Sequence, residues 1–178
     1  GEDEIMYHIN IHYKQHKHYL VLFLSFFLLF YFIHDFYISL PVPVDLSGGG
    51  QTEKIEKILV AAGAPKDRIP VLRDAVATAS GHTGFSPALI VALMKTESTF
   101  KKNAISPLGY KGEMQTPFAT RFSEVNVLYG VKILQEKLLY ADGDILLALA
   151  LYKGGNNSMA KRQAKETYKL YKQLAKLS

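Results

Sequence analysis

The chain contains no cysteine and no tryptophan. Without cysteine there is no disulfide framework, no thiolate metal site and no lipidated cysteine anchor. That absence does not fix a compartment, because many exported proteins lack disulfides. No internal repeat is present, and no low-complexity tract beyond Gly48-Gly49-Gly50. Solenoid and fibrous classes are therefore excluded. Acidic residues are the minority, 16 against 21 Lys and Arg, for a net charge of +5 in 178 residues. That length holds one modest domain with extra segments. The aromatic mass is carried by 11 Tyr and 10 Phe, many of them near the N-terminus.

Charge is also missing locally. Tyr19 to Ile33 has no ionised residue and is mostly Leu and Phe. The segment 19–40 predicts a helix of about 33 Å, enough to cross a bilayer. Pro41 and Pro43 end it. A cleaved signal peptide would finish in small residues, but this run finishes Phe36-Tyr37-Ile38-Ser39-Leu40. A buried core helix would need a larger domain around it. The expectation is a single transmembrane helix. Lys14 and Lys17 precede the span and no Lys or Arg follows until Lys54. The positive-inside rule places residues 1–18 in the cytoplasm and everything after Leu40 outside it. His34 and Asp35 are read at the outer interface, with Phe36 and Tyr37 as an aromatic belt. His8, His12 and His16 would share a helix face, but no Cys or carboxylate completes a ligand set. They are read as part of a solvated helical extension, and no metal is expected.

Residues 41–51 read as a linker, stiff at Pro41-Val42-Pro43 and flexible at the glycines. It reaches at most about 36 Å, which keeps the following domain near the membrane. The folded domain is expected over 52–178, with helices over 52–62, 69–79, 86–99, 126–140, 144–153 and 157–177. Phe100 to Gln115 reads as a loop with a short hairpin. Asp144 to Lys153 is almost wholly apolar and is expected to be the buried central helix.

The residue that carries the chemistry in this reading is Glu97. Ser86 suits an N-cap and Pro87 the first helical position. Leu89, Ile90, Leu93 and Met94 form an apolar stripe, and Glu97 continues it one turn on. A carboxylate on a buried stripe is paired or kept neutral. Desolvation and the nearby helix C-terminus both favour the protonated form, which a general acid needs. The alternative is a buried Glu paired with a Lys for structural reasons.

Glu97-Ser98-Thr99-Phe100 resembles the Glu-Ser-x-Phe motif of lytic transglycosylases of the soluble lytic (SLT) type, enzymes with a lysozyme-like fold related to goose-type lysozymes. Ser106-Pro107-Leu108-Gly109-Tyr110-Lys111-Gly112-Glu113-Met114-Gln115 resembles that family's Ser-x-x-Gly-Ala-x-Gly-Leu-Met-Gln. Ala148 to Gly155 is similar to its Ala-x-Ala-Tyr-Asn-x-Gly. Asn126 and Gly130 stand where the family has an Asn and a Gly. Each motif alone is weak, but three in order make a strong signal.

The resemblance implies a mainly α, lysozyme-like α+β catalytic domain, which the apolar run at 19–40 places behind one N-terminal transmembrane helix. It implies a peptidoglycan lytic transglycosylase without a cofactor, acting on the MurNAc–GlcNAc β-1,4 bond with 1,6-anhydroMurNAc formation. With the orientation above, the protein would be tethered to the inner membrane with its domain in the periplasm. Glu97 takes the catalytic role. Ser98, Ser106, Gly109, Gly112, Met114, Gln115 and Tyr152 are the implied substrate-binding residues. For Met114 and Tyr152, ordinary core packing is the competing reading.

Three departures matter. Tyr110 replaces a small residue, Glu113 replaces the usual Leu and Lys153 the usual Asn. Lys153 is a candidate counter-charge for Glu113. Glu113 is an exposed loop residue in one reading. In another it is a second carboxylate that activates water, which would make the protein a hydrolytic muramidase. A further alternative is a weakly catalytic glycan-binding module of an envelope-spanning assembly. The last helix carries Lys161, Arg162, Lys165, Lys169, Lys172 and Lys176 against Glu166. It reads as a solvated face whose partners would be anionic lipid or wall polymers rather than nucleic acid.

Overall fold

The computed structural model describes residues 49–177. The expected cytoplasmic segment 1–18, the span 19–40, the histidines at 8, 12 and 16 and nearly all of the linker lie outside them. Among the described residues no helix is long and apolar enough to cross a membrane.

The described region is mainly helical. Helix α1 is Gly49–Ala61, α2 Ile69–Thr83, α3 Pro87–Ser98, α4 Ser123–Tyr140, α5 Ile145–Tyr152 and α6 Ser158–Leu174. Short 3-10 turns occupy Lys66–Arg68 and Ala175–Leu177. Extended pairing is limited to isolated bridges, Ile105 with Lys111 and Lys111 with Thr116.

The punctuation seen in the sequence sets most of these boundaries. Pro87 opens α3, although the Ser86 side chain makes no capping bond and only its carbonyl accepts, from Leu89 and Ile90 N–H. Asp144 caps α5 by accepting from the N–H of Leu146 and Leu147, and Asn157 caps α6 by accepting from Ala160 N–H. Helix α2 runs through Gly81 and stops at Gly84, whose φ of 72° is open to glycine. Helix α1 starts at Gly49, ahead of the expected Thr52, and α4 at Ser123 rather than Asn126.

The expected central helix is misplaced by the sequence reading. In α5 only Ala148, Leu149 and Ala150 are buried, and Leu146 is 37% exposed. The central element is α3, where Ala88 through Met94 are all buried. It packs against α1, α2 and α6, whereas α5 is covered mainly by α4 and α6. An apolar helix only eight residues long can be half-covered because its ends are turned into loops. Helix α6 behaves as expected. Ala160, Ala164, Thr167 and Leu174 face inward, and its five basic side chains are all exposed, as is Lys176 in the turn that follows.

Candidate active site

Helix α3 ends in a strained exit. Ser98 is its last residue, and Thr99 and Phe100 then take φ of 54° and 64°. A β-branched residue in the left-handed region is an outlier, costing of order 1–3 kcal/mol. The turn is secured from several sides. Thr99 N–H bonds Lys95 O, Phe100 is 1% exposed, and the Arg68 guanidinium donates to the Phe100 carbonyl. Gln115, with φ of 48°, adds a third non-glycine residue of this kind, again inside one of the motifs.

Glu97 sits just before that exit. Its side chain is 13% exposed, and Oε1 accepts from Lys153 Nζ at 2.5 Å. Oε2 has no hydrogen-bond partner. Because no fully buried side-chain N or O among the described residues is left without one, Oε2 reaches solvent. Burial is the largest influence on this carboxyl and raises its pKa; the Lys153 charge and hydrogen bond act in the opposite direction and do not cancel it. Both halves of the sequence argument therefore meet in one residue: the carboxyl is raised, and it also has a lysine partner.

Lys153 is not the counter-charge of Glu113. Its side chain is 4% exposed and its ammonium donates to Glu97 and, at 3.1 Å, to Thr96 Oγ1. Nor is Glu113 an exposed loop residue, since it is fully buried. Its Oε1 accepts from Arg68 Nη2 at 2.7 Å and Ser123 Oγ at 2.7 Å, and its Oε2 from Asn126 Nδ2 at 3.2 Å. Burial pushes its pKa up, but the bonds from Ser123, Arg68, its own backbone and Asn126 outweigh burial and hold it below the usual range. Both oxygens are occupied, which leaves neither free to activate a water.

The implied substrate-binding residues divide into two groups. Around Glu97, Ser98 is buried and donates to the Glu113 carbonyl at 2.8 Å, tying the helix end to the loop. Met114 is a fully buried core residue whose carbonyl accepts from Tyr152 Oη at 2.7 Å. Burial, and next the negative charge of Glu97, raise the Tyr152 phenol well above its ordinary pKa, so it stays a neutral donor. The other residues build the loop. Ser106 Oγ accepts from Tyr110 N–H, Gly109 turns with φ of 84°, and Gln115 Nε2 donates to the Gly112 and Ala104 carbonyls. At Gly112, with φ of 76°, a Cβ would also lie 3.2 Å from Ala119 Cβ. Gly130 has a different role: a Cβ there would lie 2.5 Å from Met114 Cβ. The α4 backbone thus closes directly onto the methionine.

Two contributors escaped the sequence reading. Arg68 ties Phe100, Glu113 and Ser123 together, yet it lies in a short turn with no motif around it. Phe118 and Tyr129 form a tilted ring pair with centroids 6.5 Å apart, and Phe118 is 72% exposed. Its signal was an aromatic in the segment after Gln115, where no helix pattern accounts for it. A separate groove of about 590 Å³, lined by Phe85, Leu138, Leu139 and Asp142 among others, borders none of these residues. Among the described residues no cluster of His, Cys, Asp or Glu could hold a metal ion.

The described region is a mainly helical domain with a half-free glutamate just before a strained helix exit, a frame that suits a lysozyme-like catalytic domain. The transglycosylase SLT domain family matches residues 74–175, and the chain belongs to that family. It therefore carries a lytic transglycosylase catalytic domain, whose implied polymer is peptidoglycan. The chain is also similar to lytic transglycosylase Slt from Pseudomonas aeruginosa, solved by X-ray crystallography as an inactive mutant. Identity is 20% and the TM-score 0.42 over 59% of this chain, which spans 22% of that protein's length. No curated protein matches the sequence.

Proposed function

We propose that the protein is a membrane-tethered peptidoglycan lytic transglycosylase in which Glu97 is both acid and base. Protonated Glu97 donates to the glycosidic oxygen between MurNAc and GlcNAc. The C–O bond breaks, the GlcNAc hydroxyl leaves, and oxocarbenium character develops on the muramyl carbon. The Glu97 carboxylate then takes the proton of the muramyl 6-hydroxyl as that oxygen bonds the same carbon. The products are a 1,6-anhydromuramyl end and a carboxyl restored to its starting state. The nucleophile is held within the substrate, so no water has to be fixed in place.

The observation that carries this reading is the half-free carboxyl, with Oε1 held by Lys153 and Oε2 open to solvent. The hydrolytic alternative loses its second carboxylate, because Glu113 is buried with both oxygens bonded. The glycan-binding alternative is favoured by the Lys153 ion pair, which resembles a structural clamp. The uncharged run at 19–33 supports inner-membrane tethering with a periplasmic domain. A place in an envelope-spanning machine would follow from that location.

Mass spectrometry of digested peptidoglycan tests the chemistry. The expected result is anhydromuramyl ends and no new reducing ends from the wild type. Glu97→Gln is expected to lower turnover about 10²–10⁴-fold while still binding glycan. Reducing muramic ends would make it a muramidase, and unchanged turnover in Glu97→Gln would remove Glu97 from the chemistry. Membrane fractionation tests the tether: release by high salt alone would defeat it.

A further inference from the structure

Lys153 stands where the resembled motif has Asn, and its surroundings are unusually ordered for a lysine. The side chain is enclosed, 4% exposed, and its ammonium meets Glu97 Oε1 at 2.5 Å. It also donates to Thr96 Oγ1 at 3.1 Å, and Thr96 Oγ1 is 2.8 Å from Thr167 Oγ1 on α6. Thr167 is fully buried and donates to Gln163 O at 3.1 Å. Each hydroxyl has one proton to give. Thr96 Oγ1 accepts from Lys153, and its own proton has the Ala92 and Leu93 carbonyls and Thr167 Oγ1 within reach. The contacts therefore run from the Lys153 ammonium through Thr96 both to the α3 carbonyls and to Thr167 on α6. They pin a flexible side chain beside a single carboxylate oxygen, and Oε2 is left free.

Resting on the reading that Glu97 is the acid and base, we propose that Lys153 is a positioning residue that meets the charge developing on Glu97 and sets the pH above which cleavage stops. When Glu97 gives up its proton, a carboxylate appears in a poorly solvated place. An ammonium already fixed there stabilises that charge without reorganising. Tyr152 on α5 donates its phenol proton to Met114 O and is kept neutral by burial, Tyr129 on α4 acts on Tyr152 electrostatically, and Thr167 on α6 presents its hydroxyl to Thr96. On α3 itself, Lys95 is directed over the Phe100 ring. Arg68 and Glu113 are bonded to one another.

The test is the pH profile of kcat/KM for glycan cleavage in the full chain. Cleavage requires protonated Glu97, so activity falls as pH rises through its titration. Removing a neighbouring positive charge makes that proton harder to lose. Lys153→Asn and Lys153→Met are both expected to move the alkaline limb upward by about one pH unit and to lower the plateau. Lys153→Arg is expected to leave the limb near its wild-type position. Thr167→Val, which breaks the contact with Thr96 but keeps the charge, is expected to shift it by less in the same direction. Lowered activity with an unmoved limb in both the Asn and Met variants would reduce Lys153 to packing and overturn the proposal. Full turnover in Glu97→Gln would instead overturn the underlying reading, whatever Lys153 does.

Discussion

Two glutamates, one at the end of α3 and one in the loop that follows, are held in opposite ways. Glu113 is fully enclosed, yet its pKa is lowered; Glu97 is slightly more exposed, yet its pKa is raised. Burial pushes both upward. The difference lies in the partners. Glu113 accepts from Arg68, Ser123 and Asn126, whereas Glu97 accepts from Lys153 alone. Hydrogen bonds directed at the ionised form are what overcome desolvation, and one donor is too few. Paired carboxyls pushed apart in this manner separate chemical from structural duty. Here one oxygen of Glu97 is left unbonded, as the proposed proton transfer requires, and Glu113 is fixed as an anchor between the loop and α4.

The sharpest way to break this comparison is to remove the anchor. Glu113→Ala leaves the Arg68 guanidinium without its carboxylate, and breaking a buried pair costs about 3–5 kcal/mol. Arg68 is 19% exposed, so about 3 kcal/mol of lost stability is expected in denaturant titration. Glu113→Gln keeps the shape and is expected to lose less. In that variant, activity per folded molecule should fall far less than in Glu97→Gln; an equal fall would return Glu113 to the chemistry.

A second change attacks the surface on which the loop rests. Gly130→Ala forces a methyl into Met114, and overpacking of this kind costs about 1–3 kcal/mol. Because Met114 O accepts from Tyr152, the shift should reach the Glu97 side and lower turnover as well. A variant that loses neither stability nor turnover would show that α4 can withdraw.

The smallest change sharpens the comparison. Ser123→Ala removes one donor from Glu113 and should cost about 1 kcal/mol. The pH dependence carries the sign. The Glu113 pKa is depressed on folding, so its contribution is fully present above the unfolded value of about 4.3 and is lost as pH falls through the folded value. Glu97 is raised on folding, so its effect is reversed: stability declines as pH rises through its folded value. Ser123→Ala should therefore make acid unfolding begin at higher pH. An unchanged acid midpoint would mean that Ser123 is not holding the charge.

These contrasts also show what the sequence could and could not reveal. The helices were legible because Pro87, Asp144 and Asn157 mark their starts locally, whereas the stop at Gly84 rather than Gly81 was not. Glu97 was legible because its stripe lies within three turns of one helix. Glu113 was not, because the groups that bury it come from Arg68, 45 residues earlier, and from Ser123 and Asn126 beyond the loop. No periodicity joins those positions. The partner of Lys153 was misassigned for the same reason: the charges sit 56 residues apart, and only the packing of α5 beside the end of α3 brings them together. The buried rank of α3 over α5 likewise depends on how many helices cover each, which hydropathy alone does not encode.

The most direct test of the central claim is a carboxyl-carbon NMR titration of the intact protein, with Glu97 and Glu113 assigned by their Gln variants. The account predicts that Glu97 titrates above an ordinary glutamate and Glu113 below it. The reverse order, or a single shared midpoint, would contradict it.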